Sequence, residues 1–138
     1  MLLTKSKSKS KRPKKFFLIF AGVLFIDQTL KNLFLQSGMF KKNYDALFGF
    51  EIDRIFLFLI LITFLIGISQ FLKNRKDAAY FDNALALIFS GISSNILDRA
   101  HTGFIIDYIN LSNIYIFNLA DLAILLGAIL FIWRIIKE

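Results

Sequence analysis

Asp27, Asp98, Asp107 and Asp121 stand inside or beside stretches that are otherwise apolar, and carboxyls in such surroundings are costly enough to mark a working site. Asp27 and Lys31 lie four residues apart, a spacing that puts them on one helix face where they can pair and offset part of the cost of burial. Asn95, Asp98 and Arg99 close one apolar run, Asn118 and Asp121 open another, and Asp107 lies between them in FIIDYI. Asp98 has Arg99 beside it, whereas Asp107 and Asp121 have no cationic neighbour in sequence. Two such carboxyls brought together at a half-desolvated surface cannot both ionise easily and would share one proton. That pair can work as in an aspartic protease: one carboxylate takes a proton from the attacking water while the other, protonated, polarises the scissile carbonyl.

Other chemistries are excluded by residue type. The chain has no Cys, hence no disulfide, thiolate metal site or cysteine nucleophile, and its one His, His101, cannot build a multi-histidine zinc site. Its glycines are scattered and form no phosphate-binding loop. Simpler readings of the polar residues stay open at this point. Asp27 and Lys31 could be a pair that only holds helices together, and Asp121 could be a dipole-stabilised helix cap. A serine peptidase with Lys31 as base and Ser93 or Ser94 as nucleophile is one rival. A small four-helix proton-coupled transporter working through Asp27 is another.

The elements that must position these groups are membrane helices. Hydrophobic residues make up 57% of the 138, with 17 Phe, yet the net charge is +7, so charge and apolar mass are segregated along the chain. Residues 1–15 form a Lys/Ser-rich basic tail with nothing to bury, expected to be disordered and to lie beside anionic lipid rather than nucleic acid. Four apolar segments follow, about 16–35, 55–72, 78–97 and 116–133, each near the ~20 residues that cross a bilayer. The first holds Asp27 and Lys31 and lacks a following small-residue cleavage site, so it reads as a retained helix rather than a signal peptide. Lys and Arg of the tail fall on one side with Lys73, Arg75, Lys76, Arg134 and Lys137, and only Lys41, Lys42, Arg54 and Arg99 fall on the other. The positive-inside rule then puts both termini in the cytoplasm and residues 37–54 and 98–115 outside. At ~1.5 Å per residue, Lys31 lies ~22 Å along the first helix, so Lys31, Asn95, Asp98, Arg99, Asp107, Asn118 and Asp121 converge near the outer boundary.

The sequence resembles the bacterial lipoprotein signal peptidases (signal peptidase II) from about residue 16 onward. Asp27, Gln28 and Lys31 match D-Q-x-x-K. NYDALF at 43–48 is similar to N-x-G-A-A-F through Asn43, Ala46 and Phe48. SGISSNILDRAHTGFIIDYI is similar to GGxxxNxxDRxxxGxVVDFI through Gly91, Asn95, Asp98, Arg99, Gly103 and Asp107, and FNLADLAILLG to FNxADxxIxxG through Phe117, Asn118, Ala120, Asp121, Ile124 and Gly127. The chain departs from these patterns at Asp45, Leu47, Ser90 and Leu122, and its interval from Asp107 to Asp121 is short. The resemblance implies four transmembrane helices with a small extracytoplasmic β-cradle built partly from residues 37–54. It implies an intramembrane aspartic peptidase that cuts diacylglyceryl-modified prolipoproteins just before the lipidated Cys. In that reading Asp107 and Asp121 are catalytic, supported by Asp27, Lys31, Asn43, Asn95, Asp98, Arg99 and Asn118. No metal or other cofactor is implied. It further implies lipidated prolipoprotein and membrane lipid as partners, no nucleic acid, and a monomer in the bacterial cytoplasmic (inner) membrane.

Overall fold

The first helix is α1 (Arg12–Ser37). Gly38, with φ +72°, takes the left-handed conformation that ends it. The computed structural model describes residues 12–44, 78–112 and 115–137. The expected helix at 55–72, the segment 45–54 with Asp45 and Leu47, and residues 1–11 lie outside the described residues. The helix is longer than the 16–35 expected for it, because Arg12 and the good helix formers Lys14 and Lys15 join it from the basic stretch assigned to the tail.

After Gly38 the chain forms β1 (Lys41–Asn43). The second described helix, α2 (Ala78–Thr102), continues five residues past the apolar run, so Asp98 and Arg99 stand on its last turns. It ends at Gly103, φ +87°, whose N–H reaches back to the Arg99 carbonyl at 3.1 Å. β2 (Ile105–Asp107) pairs antiparallel with β1 in the register Lys41↔Asp107, Lys42↔Ile106 and Asn43↔Ile105. A hairpin follows, β3 (Ile109–Leu111) against β4 (Tyr115–Phe117). The last described helix, α3 (Leu119–Lys137), therefore starts later than the 116 expected from hydropathy. Ile116 and Phe117 are apolar but sit in a β-branched and aromatic run that pairs across the hairpin, and Asn118 stands at the helix N-cap.

α2 is the central helix and packs on both α1 and α3. Glycine makes the α2–α3 approach possible. A Cβ on Gly91 would collide with the Ala120 carbonyl oxygen, and one on Gly127 would meet the Ala84 carbonyl oxygen at 2.7 Å. Phe81 and Leu85, with Phe131 at 5.1 Å from the Phe81 ring, fill the opposite end of this contact. The distribution of polarity is inside out. Asp27 and Lys31 are 0% and 1% exposed, whereas Leu18 and Phe25 of the same helix are 75% and 73% exposed. That pattern suits a hydrocarbon solvent. Among the described residues, Lys14–Ser37 is long and apolar enough to cross a membrane.

Candidate active site

The site is built around the N-terminus of α3, where a helix leaves its first N–H groups without intrahelical partners. Those of Asn118, Leu119, Ala120 and Asp121 are all satisfied here. Asn118 is the cap: its Oδ1 accepts the Asp121 N–H at 2.9 Å, and the Asp121 Oδ2 accepts the Asn118 N–H in return at 3.2 Å, a reciprocal capping box. The Leu122 N–H reaches the Asn118 carbonyl at 3.4 Å. The Ala120 N–H goes to Asp27 Oδ1 on α1 at 3.1 Å, and the Leu119 N–H to the Tyr108 hydroxyl at 3.1 Å. The cap reading of Asp121 and the pair reading of Asp107 and Asp121 are thus compatible, since the same asparagine serves both. Asn118 Nδ2 donates to Asp107 Oδ1 at 2.8 Å while its Oδ1 and N hold Asp121.

Asp107 ends β2 and is 2% exposed. Asn43, delivered by the partner strand β1, donates to its other oxygen at 2.9 Å. Burial pushes the Asp107 carboxyl from 3.8 up to about 6; the nearby Asp121 charge adds to the rise, while the Asn43 and Asn118 hydrogen bonds and Lys31 oppose it. Asp121 is half-buried and accepts a further hydrogen bond from Asn95 Nδ2 on α2 at 2.9 Å.

Beneath this pair lies a buried ionic layer. Lys31 Nζ sits 2.8 Å from both Asp27 Oδ2 and Asp98 Oδ2, and donates to Asn95 Oδ1 at 2.9 Å. The pairing of Asp27 with Lys31 expected from their spacing is present. Asp98 is paired with Lys31 across the α1–α2 contact, because adjacent residues on a helix point in different directions and Asp98 faces α1. Arg99 stands half-buried on α2. Asp98 also accepts the Ile106 N–H at 3.1 Å, so it fixes the strand that carries Asp107.

Asp27, Lys31, Asn43, Asn95, Asp98, Asp107, Asn118 and Asp121 therefore belong to one connected hydrogen-bonded network. Residues outside that expected set also belong to it. Gln28 donates to Asp98 Oδ1 at 2.9 Å, Ser94 donates to Asp27 Oδ2, and the Tyr108 hydroxyl donates to Asp27 Oδ1 at 2.9 Å. The usable signal for Gln28 was its polarity in an apolar helix one residue from Asp27; for Tyr108 there was none, since its ring reads as core. Ser94 is fully buried, gives its proton to Asp27, and accepts from Gln28 and Lys31. A serine held this way is a structural hydroxyl, which removes the ground for a Ser94–Lys31 nucleophile.

Residues 19–137 match the family described as signal peptidase (SPase) II. The lipoprotein signal peptidase of Haemophilus influenzae (strain PittGG) is 34% identical over 97 residues, 63% of this chain and 57% of that protein. That of Staphylococcus aureus (strain MRSA252) is 35% identical over 104 residues, 70% of this chain and 63% of that one. That of Pelotomaculum thermopropionicum is 27% identical over 139 residues, 88% and 91% of the two chains. The chain thus spans little more than half the length of the Haemophilus relative. Among solved structures, a bacterial membrane enzyme determined by the in meso method at 2.3 Å superposes with a TM-score of 0.71 at 27% identity, covering 90% of this chain and 88% of that one. A second, at 1.9 Å, gives 0.70 at 26% identity over 91% and 94%. These likenesses and the long apolar α1 make this a membrane protein of mainly helical fold with small antiparallel sheets. Because the match runs from α1 to the end of α3 and contains both Asp107 and Asp121, the chain belongs to the signal peptidase II family.

Proposed function

We propose that this protein is a membrane aspartic endopeptidase that removes the signal peptide from diacylglyceryl-modified bacterial prolipoproteins, cutting before the lipidated Cys, with Asp107 and Asp121 as the catalytic pair. The observation that carries this reading is Asn118 as one residue holding both carboxyls, its side-chain amide donating to Asp107 and its backbone N–H to Asp121. Asp107, with its raised affinity for a proton, donates that proton to the scissile carbonyl oxygen. Asp121 takes one proton from the water whose oxygen adds to the carbonyl carbon. The tetrahedral intermediate then collapses: the C–N bond breaks, the amine leaves with the proton held by Asp121, and the new acid returns its proton to Asp107. Asn43, Asn95 and Asn118 hold the two carboxyls, and Asp27, Lys31 and Asp98 fix the elements that carry them. Arg99, carried over from the family motif, is a supporting residue at the end of α2.

In this reading four helices span the bacterial cytoplasmic membrane, 55–72 supplying the one outside the described residues, and both termini are cytoplasmic. The short sheets form an extracytoplasmic cradle at the outer leaflet, and the working unit is a monomer. The relatives named lipoprotein signal peptidase support the substrate class. The transporter alternative is not supported: Asp27 is held by Lys31, Ser94, Tyr108 and Ala120 and has the character of a fixed strut.

The test is incubation of purified protein with a lipidated prolipoprotein and its unlipidated form. Cleavage confined to the lipidated form is the expected result. Cleavage of neither, or of both equally, would overturn the assignment.

A further inference from the structure

Tyr108 directly follows Asp107, and its hydroxyl is a two-way bridge: it donates to Asp27 Oδ1 on α1 at 2.9 Å and accepts the Leu119 N–H, the first of α3, at 3.1 Å. Its ring is stacked on Phe34 of α1, with centroids 4.8 Å apart and planes 7° from parallel. The residue thus touches, in one side chain, the helix that carries the ionic layer and the helix that carries Asp121, while its backbone carries Asp107. Burial pushes its hydroxyl above the ordinary tyrosine value, with Asp27 and Asp98 adding to the rise, so it stays protonated and keeps donating.

We propose that Tyr108 is a positioning residue for the carboxyl pair, its hydroxyl setting the distance of Asp121 from Asp107 by pinning the first N–H of α3 to Asp27. This rests on the catalytic reading of Asp107 and Asp121. The physical reason is leverage. Asp121 lies two residues beyond Leu119, so a shift at the helix start moves its carboxyl by a similar amount, and a misplacement of about 1 Å can cost on the order of 100-fold in rate. The Tyr108 pin acts at the first N–H of α3, beside the direct bond from Ala120 N–H to Asp27 and the bonds that Asn95 and Asn118 make to the carboxyls, so its removal loosens the helix start without freeing it.

Two substitutions remove the bridge from opposite ends. Tyr108→Phe deletes the hydroxyl and keeps the ring on Phe34. Leu119→Pro deletes the N–H at the first helical position, where proline is well tolerated, and leaves the tyrosine intact. In purified protein acting on a lipidated prolipoprotein, Tyr108→Phe should lower kcat about tenfold per folded molecule with KM changed less than about twofold. Leu119→Pro should lower kcat severalfold. The double variant should be no worse than Tyr108→Phe, because both act through one hydrogen bond. The pH profile adds a reading that lost stability cannot mimic. Among the described residues, the charged groups around the pair include Asp27 and Lys31 from α1, Asp98 from α2 and Lys41, opposite Asp107 in the β1–β2 register. With those unchanged, loosening Asp121 should weaken its electrostatic influence on Asp107, so the two limbs of the bell should draw together in Tyr108→Phe. Phe81→Leu, far along α2, should lower thermal stability and leave the bell in place.

Wild-type kcat and an unshifted bell in Tyr108→Phe, or single-variant losses that multiply in the double variant, would overturn this proposal alone. Should Tyr108→Phe fail to fold, an unchanged kcat in Leu119→Pro overturns it equally. If Asp107→Asn and Asp121→Asn retained cleavage, the catalytic reading and this proposal would fall together.

Discussion

Asp27, in the middle of α1, accepts the backbone N–H of Ala120 in the first turn of α3 at 3.1 Å, while its other oxygen holds Lys31 at 2.8 Å. One carboxylate thus joins the ionic layer to the helix that presents Asp121. Asp27→Asn keeps an oxygen for Ala120 and Tyr108 but turns an amide toward Lys31 and Ser94. Lys31 retains Asp98, so the loss should be about 2–3 kcal/mol, seen as a lower unfolding temperature in detergent and less accumulated protein. Cleavage per folded molecule should survive. Its abolition in fully folded protein would give α1 the chemistry instead.

Asp107→Asn and Asp121→Asn preserve size and remove the titratable group. Each should insert and purify like the parent and cleave a lipidated substrate at background rate. Near-parental turnover by either would rule out the aspartic mechanism.

The raised Asp107 carboxyl also has a consequence for stability. The folded state binds this proton more tightly than the unfolded chain, so the contribution is complete below about pH 4 and is lost as pH rises through about 6. Relative to Asp107→Asn, which cannot titrate, the parent should lose up to about 3 kcal/mol between about pH 4 and pH 7. Unfolding temperatures of the two proteins across that range check it; parallel curves would contradict the buried, proton-holding environment.

Gly91→Ala should be far more damaging than a typical glycine-to-alanine change in a helix. The added methyl meets the Ala120 carbonyl, which is backbone and cannot rotate away, so α2 and α3 must part. A stability loss of about 2 kcal/mol or more is expected, accompanied by reduced turnover because Ala120 adjoins Asp121. Gly22→Ala, with open space around it, serves as the comparison and should be neutral or stabilising.

A reporter enzyme active only outside the cytoplasm, fused after Lys42 or after Asn110, should be active, and one fused after Lys76 should not. The reverse pattern would turn the carboxyl pair toward the wrong compartment.

How far the site could be read from sequence depended on whether the relevant contact was local. The Asp27–Lys31 pair follows from helical spacing, and the meeting of buried Asp98, Asp107 and Asn118 with half-buried Asp121 near one level follows from where the apolar runs begin and end. The partner of Asp98 does not follow, because adjacency to Arg99 says nothing about which helix face meets α1. The start of α3 was misplaced because hydropathy cannot distinguish an apolar strand such as Tyr115–Phe117 from a helical turn. Tyr108 was invisible as a polar residue, since its role depends on a hydroxyl at the end of a ring that otherwise packs like Phe. Asn43 came from the family pattern alone; its meeting with Asp107 depends on the β1–β2 register, which no local periodicity encodes.

That register also sets an order of events during biosynthesis. β1 leaves the ribosome well before β2, and Asn43 has no Asp107 to hold until the whole of α2 has been made and turned at Gly103. Asn118 and Asp121 follow later still, on the last described helix. A nascent chain halted before α3 holds Asp107 without either Asn118 or Asp121, and so lacks one half of the proposed catalytic pair. If Asp107 and Asp121 are the catalytic pair proposed above, hydrolytic competence arrives only when α3 docks.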